Sequence, residues 1–201
     1  MKTIMFNKDR IISLMSKNNG VITAAECRRE GINSTYLTQL VREGILNRSA
    51  RGLYSSTAVM QDEEFIFQYR HKRCIFSYGS ALSLHGMIDR LPGKMEVTVY
   101  RGYNAHRIPK QVRVHYVIKD IYPLGIIQVE TMFGNMVDVY DLERTLCDLI
   151  KNRAEIEGDI FAQSLRNYLK HPKKDLSELF AYAKEMKILQ QTQEIIEVMI
   201  E

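Results

Sequence analysis

The segment from Gly20 to Ser56 constrains the fold more than any other part of the sequence. It contains two short helical patterns separated by a turn, followed by two short strand patterns. Thr23 and Glu26 have the spacing of a capping box, which satisfies free amide groups at the start of a helix. The first helix is predicted over residues 24–30 and the second over residues 35–43, each ending at a glycine. The segment therefore predicts a helix-turn-helix.

The second helix of this pair has an apolar side and a polar side. Leu37, Leu40 and Val41 recur at the three- and four-residue spacing of a helix, so this side is expected to pack inward. The other side carries groups that can bind base edges and phosphates. These groups belong to Thr35, Tyr36, Thr38, Gln39 and Arg42. We predict that this is the recognition helix of a DNA-binding domain.

Two short strands are predicted after the recognition helix, at residues 45–47 and 53–55. The turn between them contains Arg48 and Arg51, whose guanidinium groups could bind phosphates or enter the minor groove. A helix-turn-helix followed by such a hairpin is typical of a winged helix-turn-helix domain. A helical hairpin that serves only packing or protein contacts remains an alternative on this pattern alone.

Basic residues are concentrated in the same part of the chain. Residues 1–58 hold nine Lys or Arg and four Asp or Glu, a net charge of +5. The whole chain carries +4, so the remainder carries −1. A phosphate-binding module requires such an excess, and Arg28 in the first helix of the pair belongs to it. The charge distribution favours DNA binding over a purely structural role.

The composition disfavours several other classes of protein. The sequence contains no apolar run near the ~20 residues of a membrane span, and its N-terminus does not resemble a signal peptide. Cys27, Cys74 and Cys147 are far apart and form no CxxC pair, which indicates free thiols in a reducing compartment rather than zinc ligands or disulfides. We expect a cytoplasmic protein without a metal ion, a cofactor or a membrane contact.

The rest of the sequence predicts a second domain of mixed structure. Residues 59–73 are predicted to form a connecting helix between a domain of residues 1–58 and a domain of residues 74–201. After a short helix at 78–85, four strands are predicted, at 96–100, 112–118, 126–132 and 136–140. Four helices follow, at 142–151, 160–170, 176–186 and 188–200. The predicted fold class is α+β, with an N-terminal winged helix-turn-helix and a second domain that has a small, mostly antiparallel sheet and a helical tail.

Candidate contact residues of the second domain form two groups. The first is a polar set expected to meet where the helices at 78–85 and 142–151 share an edge of the sheet, and it consists of Ser80, His85, Arg90, Arg144 and Asp148. Arg144 is expected to point away from the sheet, with Asp148 at the flank, so that the two form at most an exposed pair worth ~0.3–0.5 kcal/mol. The second group is basic and consists of Arg101, Arg107 and Arg113. This basic segment is either a solvated loop or a surface for nucleic acid or an acidic partner.

No catalytic pattern is complete in the sequence. Gly79-Ser80 followed by Asp89 resembles part of a nucleotidyltransferase motif, but Leu91 stands where that motif has its second carboxylate. A divalent metal ion would therefore lack a second ligand. The five histidines form no Ser-His-Asp series. We predict that the protein is not an enzyme.

Four segments together resemble the AbiEi antitoxins of type IV toxin–antitoxin systems, which act in abortive infection and viral defence. The segments are VITAAECRREGINSTYLTQLVREGILNRSARGLYSS, FSYGSALSLHGMIDRLPGKMEVTV, VYDLERTLCDLIKNR and DIFAQSLRNYLK. The resemblance implies a winged helix-turn-helix that represses its own operon, with inverted repeats expected in the operator DNA. It also implies a second domain that neutralises a nucleotidyltransferase-like toxin without requiring a stable complex.

Two other functions remain open on the sequence. A transcriptional regulator without a toxin partner would use its second domain to sense a ligand, and its gene would have no toxin gene beside it. An enzyme would modify a nucleotide or the toxin through Ser80, His85, Arg90, Arg144 or Asp148. Variants of these residues, scored for toxin rescue and for DNA binding, would distinguish the enzyme from the other two.

Overall fold

The chain forms two compact units in a computed structural model, which describes residues 2–89 and 93–200 and the side chains of residues 7–89 and 93–199. The first unit comprises Met1–Lys72 and Glu130–Val137, and the second comprises Arg73–Val129 and Asp138–Glu201. The first unit thus takes an eight-residue segment from within residues 74–201, which the sequence assigned to the second domain.

The first unit combines helices with a small sheet. Its elements are α1 (Lys2–Lys17), β1 (Val21–Thr23), α2 (Ala24–Arg29), α3 (Thr35–Arg42), β2 (Leu46–Ala50), β3 (Leu53–Ser56) and α4 (Glu63–Arg70). The strands pair antiparallel in the order β1-β3-β2. The predicted capping box is present, because the Thr23 hydroxyl accepts from the Glu26 amide (3.1 Å) and the Glu26 carboxylate accepts from the Thr23 amide (2.7 Å). The sequence therefore defines the start of α2 locally.

The core of the first unit joins α1, α2 and α3 to the sheet. Ile11 of α1, Cys27 of α2 and Leu46 of β2 pack with Leu37 and Leu40 of α3 in one buried cluster. The prediction that Leu37 and Leu40 face inward is confirmed, since both are fully buried. The apolar periodicity thus fixes which side of α3 is left to solvent.

A buried carboxylate holds the segment Glu130–Val137 in the first unit. Asp62 is 3% exposed. One of its oxygens accepts from the Phe65 amide at 3.0 Å and so caps α4. The other accepts from the Thr131 hydroxyl (2.5 Å) and from the Asn135 side-chain amide (2.8 Å). A single side chain therefore starts a helix and binds a turn that is distant in the sequence.

The second unit is a five-stranded sheet with helices. Its elements are β4 (Ile75–Phe76), α5 (Tyr78–Leu84), β5 (Glu96–Tyr100), β6 (Arg113–Val117), β7 (Ile126–Glu130), β8 (Met136–Tyr140), α6 (Leu142–Lys151), a 3-10 turn (Arg153–Glu155), α7 (Gly158–Lys170), α8 (Leu176–Glu185) and α9 (Leu189–Ile200). The α+β class with a helical tail is confirmed. No helix in the described part of the chain is long and apolar enough to cross a membrane.

The sheet of the second unit has mixed strand directions. Its order is β6-β5-β4-β8-β7. β4 and β5 pair antiparallel, whereas β5–β6 and β4–β8 run parallel. β4 lies in the middle of the order but has only two residues, too few to show the alternation that predicts a strand. The mixed arrangement was therefore not visible in the sequence.

α6 is the central helix of the second unit. Residues 143–150 are all buried, because α5, α7, α8 and α9 pack around the helix. Leu146, Leu149 and Ile150 contribute to the main apolar cluster. The sequence predicted that α6 buries one side against the sheet, but the surrounding helices also cover its polar side.

Candidate nucleic-acid interface

The first part of the candidate interface is the polar side of α3. Asn33 lies just before this helix, and its side-chain oxygen accepts a hydrogen bond from the Thr35 amide at 3.0 Å. Thr35, Gln39 and Arg42 are exposed, and Tyr36 is half-buried against the core. With the opposite side of α3 anchored in the core, these polar groups are presented to solvent on a fixed helix.

The second part is the hairpin formed by β2 and β3. Arg48 and Arg51 are exposed near its tip. The two strands are linked by a hydrogen bond between the Ser49 and Ser55 hydroxyls (2.7 Å), which are both buried. The Arg70 guanidinium of α4 donates to the Ser49 carbonyl. These contacts fix the strands while leaving the two tip arginines in solvent.

Three acidic side chains of the first unit are bound to groups on α1 or at the start of α2. Glu43 pairs with Lys8, and Glu30 pairs with Arg10 at 3.4 Å. Glu26 is held in its capping box. The positive charges of α1 are therefore partly neutralised within the unit.

Five arginines outside α1 have no such neutralising partner. Among the side chains that the structure describes, no ion pair or side-chain hydrogen bond is formed by Arg28, Arg29, Arg42, Arg48 or Arg51. All five are exposed, and they lie on α2, α3 and the hairpin. The unpaired arginines of the first unit thus lie on the elements predicted to bind DNA.

Arg144 and Asp148 require a correction, because both are buried rather than placed at the surface of α6. Arg144 is 0% exposed and Asp148 is 2% exposed. Arg144 Nε lies 3.2 Å from Asp148 Oδ2, while Nη1 donates to the carbonyls of Ile121 (2.6 Å) and Leu124 (2.9 Å). The guanidinium also lies over the Tyr140 ring, 4.1 Å from its centroid. The pair fastens α6 to the segment before β7 and is not available to a protein partner.

Burial changes the protonation of the carboxylates on α6 and at its start. It raises the pKa of Asp148, and the adjacent Arg144 opposes this shift. Burial also raises the pKa of Asp141 to about 6, against the stabilising hydrogen bonds from the Arg144 amide (2.7 Å) and the Tyr182 hydroxyl (3.1 Å). Both carboxyl groups therefore hold their protons more strongly in the folded chain.

Ser80 and His85 are also used inside the second unit. Ser80 is 6% exposed, and its hydroxyl accepts from the Glu96 amide at 2.8 Å. His85 donates from Nε2 to the Tyr140 carbonyl at 2.8 Å, and burial lowers its pKa. Arg90 lies outside the described residues. Ser80 and His85 therefore do not form an exposed polar cluster with Arg144.

The basic segment of the second unit is exposed. Arg101, Arg107 and Arg113 are all exposed to solvent. Arg113 Nη1 lies 4.0 Å from Glu96 Oε2, and the same oxygen lies 2.7 Å from His115 Nε2. No ion pair of Arg101 or Arg107 is found among the described side chains. These two arginines are the members of the predicted contact set that remain available to a partner.

A group of polar residues that meet beside Arg101 was not predicted from the sequence. The Tyr78 ring stacks on His115 with centroids 3.8 Å apart, and the Tyr78 hydroxyl accepts from the Asn152 side-chain amide at 2.7 Å. The three residues come from α5, β6 and the end of α6. Because they are distant in the sequence and share no motif, no local signal could have grouped them.

Comparison with known proteins gives a match for most of the first unit. Residues 9–57, which include the helix pair and the hairpin, match a family described as "Transcriptional regulator, AbiEi antitoxin". No curated protein matches the sequence. The crystal structure of the RV2827C protein from Mycobacterium tuberculosis is similar over 96% of this chain and 81% of that chain, with a TM-score of 0.50 and 14% identity. At this identity the similarity concerns the fold alone. Residues 9–57 of the chain are thus similar to AbiEi antitoxins, a family described as transcriptional regulators.

Proposed function

We propose that the protein is the DNA-binding antitoxin of a type IV toxin–antitoxin system that acts in phage defence in the cytoplasm. In this proposal it represses its own operon through a winged helix-turn-helix. α3 enters the major groove and the β2–β3 hairpin is the wing. The family match to a transcriptional regulator supports this assignment for residues 9–57.

The observation that carries the proposal is the distribution of unpaired arginines. Lys8 and Arg10 on α1 pair with Glu43 and Glu30, so part of the charge on α1 is neutralised. The arginines of α2, α3 and the hairpin remain free within the described side chains. Free, exposed guanidinium groups can displace counterions from phosphates, which is the main source of affinity in protein–DNA complexes.

The proposal gives different roles to different side chains. Gln39 faces solvent from the middle of α3 and would contact base edges together with Thr35 and Tyr36. Arg42 at the end of α3 would bind a phosphate at the edge of the major groove. Arg28, Arg48 and Arg51 would bind phosphates on either side of the recognition helix. The two-fold symmetry of inverted repeats would then require two copies of this surface on one operator.

A binding assay with the promoter DNA of the protein's own operon tests the DNA-binding role. Fluorescence anisotropy would compare the wild type with a variant that combines Arg48→Ala and Arg51→Ala. We expect weaker promoter binding by this variant and unchanged binding by Lys17→Ala, which removes an exposed charge from the last turn of α1. Equal affinities for all three proteins would contradict the assignment of the hairpin as a wing.

We propose further that the second unit neutralises a nucleotidyltransferase-like toxin, without catalysing a reaction and without needing a stable complex. Arg101 and Arg107 support this as a contact surface, because they are exposed, whereas Arg144, Asp148 and Ser80 are buried.

Co-expression with the toxin encoded beside the gene tests this neutralising role. Arg101→Ala with Arg107→Ala should lose growth rescue, while Lys170→Ala, also exposed, should retain it. Full rescue by the double variant would contradict this surface.

A further inference from the structure

A cavity of about 470 Å³ lies within the second unit. One side is formed by β6 and the residues after it, and the other by the ends of α6 and α8. Its volume lies within the range of roughly 300–1,000 Å³ that is usual for small-molecule sites. The contacts that the lining residues make with one another leave this volume unfilled.

The wall of the cavity is aromatic and rigid. Tyr78 and His115 both line it, and their rings are stacked at 20°. Tyr78 has a φ of 49°, a backbone conformation that is unfavourable for an aromatic residue and is maintained only by its surroundings. The hydrogen bond from Asn152 to the Tyr78 hydroxyl and the contact of His115 with Glu96 hold the two rings in place. A flat ring can pack against such a surface.

The cavity also has a buried acceptor. Asp148 lines it and is 2% exposed. Its Oδ2 lies 3.2 Å from Arg144 Nε, but no described residue gives it a hydrogen bond of normal geometry. A buried acceptor oxygen without a hydrogen bond favours a ligand group that can donate one. The group of a ligand that comes closest to Asp148 should therefore be an N–H or O–H donor.

Apart from Asp148, which lies beside Arg144, the lining of the cavity carries one positive charge in excess. On the helical side, the two charges of Lys151 and Lys187 are equal in number to those of Glu155 and Glu185. On the strand side, Arg101 is held next to β6 by the hydrogen bond from its amide to the Val117 carbonyl (2.7 Å). The guanidinium of Arg101 has no ion-pair partner among the described side chains. The strand side of the mouth thus favours an anionic group.

We propose that this cavity binds a free nucleotide. The heterocyclic base packs against the Tyr78–His115 wall, an N–H of the base donates to Asp148, and the phosphate pairs with Arg101. This ligand site is additional to the proposed DNA binding and does not depend on it. It would give the second unit a small-molecule ligand of its own.

Isothermal titration calorimetry of the full-length protein with AMP, GMP, CMP and UMP tests the proposal. At least one nucleotide should bind saturably at millimolar concentration or below. Arg101→Ala should weaken that binding about tenfold or more, since a charge-assisted bond is removed, and should leave the affinity for the matching nucleoside unchanged. Ile118→Trp, which changes a half-exposed residue lining the cavity, should block both.

Two matched controls separate this site from the other basic surfaces. Arg107→Ala removes an exposed arginine that does not line the cavity, and Arg48→Ala with Arg51→Ala alters the proposed wing. Both should bind the nucleotide as the wild type does. The proposal is overturned if no nucleotide binds, or if inorganic phosphate binds as tightly as the nucleotide. It is also overturned if either control loses affinity to the same extent as Arg101→Ala.

Discussion

The two units of the protein use arginine in opposite ways. Arg48 and Arg51 of the first unit are exposed and have no partner among the described side chains. Arg144 of the second unit is fully buried with a carboxylate, two carbonyls and an aromatic ring. An exposed charge contributes little to stability and is available to a ligand, whereas a buried charge is structural because its loss leaves its partner unsatisfied. The same residue type therefore indicates binding in one unit and folding in the other.

The largest expected effect comes from Arg144→Leu. This change leaves the Asp148 carboxylate buried without a counter-charge and two carbonyls without their donor, so the free energy of unfolding should fall by about 3–5 kcal/mol. Denaturant titration measures this value. Arg51→Ala, as the exposed counterpart, should stay within about 0.5 kcal/mol of the wild type. A decrease below about 1 kcal/mol for Arg144→Leu would show that the buried pair is not structural.

A smaller effect is expected where the first unit depends on the segment Glu130–Val137. Thr131→Val removes the hydroxyl that donates to the buried Asp62 carboxylate at 2.5 Å, which should cost about 1–3 kcal/mol of stability. Thr38→Val, at an exposed position of α3, is the matched control and should change little. Equal stability of the two variants would mean that this segment is dispensable. A fragment of residues 1–72 lacks the same donors and should also be less stable than the first unit of the whole chain.

The pH dependence of stability sharpens the contrast between buried and exposed groups. Burial raises the pKa of Asp141 from 3.8 to about 6, so the folded chain holds this proton more tightly than the unfolded chain. Its contribution to stability is full below pH 4 and is lost as the pH rises towards 6. Asp148 acts in the same direction. Asp141→Asn should therefore lose less stability than the wild type between pH 4 and pH 6, measured by denaturation at each pH.

The exposed Asp159→Asn is the control for this pH series and should follow the wild-type profile. If Asp141→Asn followed it as well, the raised pKa of Asp141 would make no contribution to the stability of the folded chain.

Local sequence signals predicted the first unit well. The capping box of Thr23 and Glu26 and the apolar spacing of Leu37 and Leu40 depend on residues within one turn of a helix. The structure confirms both. The arginines of the hairpin follow from the same local reasoning, because a tight turn leaves its tip in solvent. The candidate DNA-binding residues were therefore visible without knowledge of distant contacts.

Distant contacts decided what the sequence could not predict in the second unit. Arg144 and Asp148 have the spacing of an ordinary surface pair, and only the packing of several helices around α6 makes them buried. β4 has two residues and no periodicity. The Tyr78–His115 wall brings together residues from α5 and β6. None of these features can be predicted from a short segment of the sequence.

The salt dependence of promoter binding shows whether the unpaired arginines of α3 and the hairpin bind DNA phosphates. The logarithm of the binding constant falls linearly with the logarithm of the salt concentration, with a slope of about 0.9 per neutralised phosphate. The combined Arg42→Ala, Arg48→Ala and Arg51→Ala variant should bind with a slope shallower by about 0.9 for each phosphate that it no longer neutralises, and should melt like the wild type. If this variant kept the wild-type slope, these three arginines would not be the residues that neutralise DNA phosphates.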